Sequence, residues 1–232
     1  MKRIVLAALA AIALQVAPAQ ATPLAPGGST NNIPTITETG IIEGTVSTQF
    51  SYGSGDNRVS GVLREVVVQP TGSNTLDFLF QVALRPVGPN GSGINAMLNM
   101  FTVSGFGLPT TTDIFQTSSA SNLDDQGFFT NPLKTGTQPV MAASRSPGTG
   151  DGVTFFDPTA AGETSFIGII KTNATGLSSA PGTVTFDGNT LVFNTLVPAV
   201  SIPEPVTMVL WGGSFAGLAC LGVYRRRKAV TV

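Results

Sequence analysis

The side chains that most often carry catalysis are scarce here, and that narrows the chemistry. The 232 residues include no histidine and one cysteine, Cys220. A Ser-His-Asp or Cys-His triad, an HExxH zinc site and a histidine general base all need the missing imidazole. A thiolate nucleophile or a cysteine-ligated metal needs sulfur outside the apolar run that holds Cys220. Carboxylates remain. A glycoside hydrolase needs two acids about 5–10 Å apart, one with a raised pKa, and the chain offers Asp77, Asp113, Asp124, Asp125, Asp151, Asp157, Glu163 and Asp187. Asp124 and Asp125 are adjacent, but neighbours on a strand point to opposite faces and make a poor dyad. Calcium is the other carboxylate chemistry. Asp151 in "GTGDG", with Asp187 and Asn189 in "DGN", offers oxygen ligands in glycine-bounded loops. Their spacing matches neither an EF-hand nor a tandem Gly-Asp repeat, so no metal and no other cofactor is assigned.

Other binding chemistries find little support. Gly53-Ser54-Gly55 and Gly148-Thr149-Gly150 lack the strand-to-helix setting that cradles a phosphate. A flat threonine array can match ice, but it needs a regular strand repeat, and the run Thr110-Thr111-Thr112 belongs to none.

The elements that must position these residues are strands. In "LDFLFQVAL", Leu76, Phe78, Phe80, Val82 and Leu84 fall on one face and Asp77, Gln81 and Arg85 on the other. That alternation predicts a strand with one buried face in an antiparallel sheet. "RVSGVLREVVVQ" places Val62, Val66 and Val68 together. Further strands are expected in "IIEGTVSTQFSY", "AMLNMFTVSGF", "GVTFFD", "TSFIGIIKT", "GTVTFD" and "NTLVFNTLV", separated by Gly, Pro and Asn turns. "TFDGNTLVF" predicts a hairpin about Asp187-Gly188. Residues 22–39 are rich in Pro, Gly, Ser, Thr and Asn and are expected as a flexible leader. Residues 40–200, about 160 in all, are long enough for one core. The expected fold is all-β, an antiparallel β-sandwich or jelly-roll-like ectodomain.

The two ends read as targeting segments. "MKRIVLAALAAIALQVAPAQA" has cations at Lys2 and Arg3, a short apolar stretch, and an A-x-A site at Ala19 and Ala21. It predicts a signal peptide over residues 1–21. Near the other end, residues 206–224 carry no charge, and at a helical rise of about 1.5 Å per residue they span roughly 28 Å, a bilayer's hydrocarbon thickness. Arg225, Arg226, Arg227 and Lys228 follow, and such a cluster stays on the cytoplasmic side. One transmembrane helix with an inside C-terminus is expected, with everything between the two ends translocated. Six of the 12 cations lie in these segments, leaving six against 13 acids, a net of −7. So acidic a remainder is unsuited to nucleic acid.

Pro203 and Pro205 flank Glu204 and hold it extended just outside the expected span. A short Pro-Glu-Pro, one apolar span and an Arg-rich end, in that order over residues 201–232, resemble the PEP-CTERM sorting signal of Gram-negative bacteria. The same tail is also catalogued as an ice-binding protein C-terminal segment. The resemblance implies a membrane-embedded exosortase that recognises Pro203, Glu204 and Pro205, removes the span and sorts the ectodomain outward. The order "SGVLREVVVQPTGSNTLDFLFQVAL", "MFTVSGFGLPTTTDIF", "ASRSPGTGDGVTFFDP" and "GETSFIGIIKTNATG" looks like exported domains often joined to such tails. It brings no catalytic residue. The expectation is a non-enzymatic cell-surface or extracellular-matrix protein associated with exopolysaccharide or biofilm. The alternative is a carboxylate-based glycoside hydrolase or a calcium-assisted carbohydrate binder.

Overall fold

The structure, a computed structural model, describes residues 22–86, 96–107, 110–124 and 131–199. The expected signal peptide with Ala19 and Ala21, the Pro203-Glu204-Pro205 motif, the span 206–224 and the cations 225–228 lie outside the described residues. Among the described residues, no helix is long and apolar enough to cross a membrane.

The described residues are all-β apart from one 3-10 turn, Gly55–Asn57. In chain order the strands are β1 Thr22–Pro23, β2 Ser29–Thr30, β3 Gly40–Tyr52, β4 Val59–Pro70, β5 Asp77–Leu84, β6 Met97–Val103 and β7 Thr112–Thr117. There follow β8 Leu123–Asp124, β9 Ala142–Arg145, β10 Val153–Ala160, β11 Ile167–Thr172, β12 Gly176–Phe186 and β13 Asn189–Ala199. They form a seven-stranded sheet, β1-β7-β11-β5-β4-β3-β8, and a six-stranded sheet, β13-β12-β6-β10-β9-β2. Pairing is antiparallel throughout except where the two-residue β8 runs parallel to β3. The hairpin expected at Asp187-Gly188 is present: both residues have positive φ, 45° and 85°, as a two-residue type I′ turn requires.

The two sheets share one core. Phe78, Phe80 and Ile170 come from the seven-stranded sheet; Phe101, Phe155, Val184 and Phe186 come from the six-stranded one. Phe50 stacks on Phe186 with ring centroids 4.1 Å apart, and Phe78 meets Phe106 edge-on at 5.4 Å. Contacts of this kind add about 0.5–1.5 kcal/mol each beyond the area they bury. Gly168 lets the sheets close, since a Cβ there would lie 2.7 Å from the Phe155 ring.

Two expectations change. First, β5 was expected to bury one face, and it buries both. Phe78, Phe80, Val82 and Leu84 do line the inter-sheet core, but Asp77, Leu79 and Gln81 are buried as well. A second apolar cluster covers that outer side, built from Val66, Val68, Leu79, Phe115, Ile167 and Ile169 with Ile36, Ala120 and Leu133 laid over them. Gln81 survives there because Lys134 and Ser165 satisfy its amide. Second, residues 22–39 are packed rather than loose. Leu24 and Ile33 are buried, β1 pairs with β7, β2 pairs with β9, and Glu38 is part of a buried ion cluster. Composition suggested freedom because the segment supplies few apolar residues, but those few are anchors.

Candidate functional site

Burial of the outer side of the seven-stranded sheet leaves the six-stranded sheet with the open face. Cross-strand partners in an antiparallel sheet project to the same side, so the register can be followed strand by strand. Thr190 lies opposite Thr185, Thr185 opposite Thr102, Thr102 opposite Thr154, Thr154 opposite Ser144, and Ser144 opposite Ser29. One row of hydroxyls therefore crosses all six strands. At about 4.8 Å between strands it is roughly 24 Å long. None of the six side chains is buried. The Thr102 and Thr154 hydroxyls bond each other at 2.7 Å and those of Thr185 and Thr190 at 3.0 Å, which fixes their rotamers and leaves spare lone pairs facing out.

An apolar row runs beside the hydroxyls. Met100, Phe156 and Ala142 are in register across β6, β10 and β9. Phe156 is 38% exposed and the nearby Met141 is 62% exposed. Ser29, Thr30, Asn31, Ala142, Ala143 and Phe156 line a shallow open hollow at the β2 end of the face. Hydroxyl donors and acceptors beside an exposed ring suit a ligand that is polar at its rim and apolar on its flat side.

The residues picked from the sequence for their chemistry do not converge. Asp187 spends its carboxylate inside the protein, accepting the backbone N–H of Asn99 and Met100 and the Tyr52 hydroxyl. Asn189 donates to the Phe186 carbonyl. Asp151 accepts the Gly105 N–H at 3.2 Å. Asp151 and Asp187 are thus held near opposite ends of β6, Gly105 against Met100, about 17 Å apart at strand rise. They cannot share one ion with Asn189, and no group of three metal-ligating side chains occurs among the described residues.

The acids divide in the same way. Burial raises the Asp157 pKa to about 7, with Thr159 and Ser165 opposing and Glu163 adding to the rise. This is the nearest approach to the acid half of a glycosidase pair, but Asp157 is wholly buried in the β10 bulge. Both oxygens of Glu163 are engaged, by Gln138 and by the Ala160 N–H. Asp77 sits with Glu38 around Lys171, whose ammonium is 2.7 Å and 3.0 Å from them. Burial still holds Asp77 up, at about 6. It also works against the Lys171 ammonium, but Asp77 and Glu38 outweigh it and keep that pKa raised. Asp113 is raised as well, by partial burial against the pull of Lys171. Asp125 lies outside the described residues.

Two features were not legible along the chain. The hydroxyl row joins positions 29, 144, 154, 102, 185 and 190, so only the pairing reveals it; the trace in sequence is threonine at alternate positions in "GTVTFD". The second is Arg145, a buried guanidinium with no carboxylate bonded to it among the described residues. Its nitrogens donate to the carbonyls of Gly150, Leu24, Phe106 and Thr110 and to the Thr112 hydroxyl. Arg145 therefore pins the entering segment to β9 and to the loops around it.

No protein-family model, no curated protein and no solved structure matches this chain.

Proposed function

We propose that this chain is an exported, non-enzymatic cell-surface or extracellular-matrix protein, a β-sandwich ectodomain that holds polysaccharide on the open face of its six-stranded sheet. The observation that carries the reading is the cross-strand hydroxyl row lying beside Met100, Phe156 and Ala142. Such a surface grips an extended glycan by many weak contacts and does no chemistry on it. The acidic balance favours neutral sugar hydroxyls over phosphates as partners. Export and sorting rest on the sequence of the two ends: a signal peptide, then Pro203-Glu204-Pro205 for an exosortase-like enzyme, with residues 206–224 as a membrane anchor before cleavage. The hydrolase reading is weaker, because a glycan has no route to a wholly buried Asp157.

Fractionation of host cells and culture fluid, followed by mass spectrometry of the mature chain, tests this. Recovery at the surface or in the medium, with the C-terminal peptide missing, is the expected result. A chain found only in the cytosol overturns it.

A further inference from the structure

We propose that two copies of this chain join edge to edge through β13, in antiparallel register centred on Val192. A sheet edge with open N–H and C=O groups templates pairing, and proteins normally guard such edges with short strands, charges, proline or bulges. Three edges here are guarded. β7 is covered by the two-residue β1 and by a bridge from Thr35 to Gln116; β9 is covered by the two-residue β2. β3 pairs with β8 over two residues only, but beyond them it carries a bulge at Glu43, and Arg58 and Arg85 reach Ser51 and Gln49 along it.

β13 has no such guard over Asn189–Thr195 among the described residues. It is 11 residues long, without charge, and among the described residues it pairs only with β12. Asp187 is the one charged residue from 172 to 203 in a chain that is otherwise acidic, so two copies approach here with the least repulsion. Val192 is 69% exposed.

The register follows from which groups face outward. Phe186 and Asn189 flank a two-residue turn and form a hydrogen-bonded pair, and such pairs alternate along the ladder. Leu191, Phe193 and Thr195 therefore spend their backbone groups on β12, while the even positions face away. Leu196 confirms the phase, because its N–H donates outward to Glu65 at 3.1 Å. That cap, together with Pro198, which has no N–H, closes the far end of the edge. Thr190, Val192 and Asn194 remain open. A twofold through Val192 sets it against its own copy and places Thr190 opposite Asn194 of the second copy, for on the order of six N–H···O=C bonds. The second hairpin would also cover Leu191 and Phe193, which pack against the core from a half-buried position. This strip of sheet is smaller than the roughly 1,200 Å² of a standard stable interface. The dimer is therefore weak when dilute and favoured where copies are crowded.

Thiol cross-linking of the full chain in detergent, with Cys220→Ser as the background, tests the register. Val192→Cys should give a cross-linked dimer with a short bis-maleimide. Thr190→Cys and Asn194→Cys should link when mixed, and much less when each is alone. Adding Val192→Lys to the mixed pair places like charges face to face and should cut the yield by at least about tenfold. Val192 is exposed, so these variants keep the fold. No dimer at 192, equal linking of Thr190→Cys alone and mixed with Asn194→Cys, or indifference to Val192→Lys would each overturn the proposal. Association through the apolar tail would appear as that indifference.

Discussion

Replacing Glu65 by glutamine should remove much of a pH dependence built into the fold. Glu65 projects from β4 into the space between the sheets, opposite Phe80. One carboxyl oxygen accepts the Leu196 N–H, and the other is buried with no hydrogen-bond partner. Loss of water raises its pKa from 4.5 to about 8, against the opposing effect of that N–H. An unfolded chain gives up this proton near 4.5, whereas the folded chain keeps it to about 8. The unfolded state therefore binds fewer protons across that window, and stability falls as pH rises through it. At about 1.4 kcal/mol per pH unit, the full window corresponds to roughly 5 kcal/mol, with roughly 3 kcal/mol gone by pH 7. Local relaxation around the carboxylate lowers this, so about 2–5 kcal/mol is the expected range. Glutamine stays neutral, and its carbonyl can keep the Leu196 bond. Urea unfolding followed by circular dichroism from pH 5 to 8.5 measures the effect. The variant should nearly match the native protein at pH 5 and exceed it at pH 8. A smaller slope should survive from Asp157 and Asp77, which are raised to about 7 and about 6. Parallel curves for the two proteins would show that Glu65 does not set the pH dependence.

Other substitutions probe separate parts of the fold. Arg145→Lys keeps the charge but cannot meet acceptors spread over four segments, so about 3–5 kcal/mol should be lost in the same assay. Gly168→Ala drives a methyl against the Phe155 ring and should cost about 1–3 kcal/mol; adding Phe155→Leu should return part of it. Lys171→Met leaves Glu38 and Asp77 buried without their cation. Its penalty should be larger at pH 8 than at pH 5, where Asp77 can protonate.

Local rules made the strands legible, and tertiary covering decided what they left open. The alternation in β5 assigned Phe78, Phe80 and Val82 to the core correctly, because a period of two is a property of the strand itself. It could not show that Asp77 and Gln81 would also be buried, since their cover comes from Ile36, Glu38, Ala120, Leu133 and Lys134, far along the chain. The turn at Asp187-Gly188 was readable from two residues, yet the use of the Asp187 carboxylate was not: Asn99 and Met100 claim it from a different strand. Polar composition in residues 22–39 hid the anchors Leu24 and Ile33. The open hydroxyl face depends on the register of five strand pairs at once, and no window of sequence contains it.

Polysaccharide binding on the open face of the six-stranded sheet can be measured on the full chain. Affinity electrophoresis through gels containing the host's own exopolysaccharide reads it out, comparing the native chain with Phe156→Ala and with Thr154→Lys. The native chain should be retarded and both variants should migrate as they do without polysaccharide, while their unfolding midpoints stay near the native value. Equal retardation of native and variant chains, or none for any of them, would rule out glycan binding on this face.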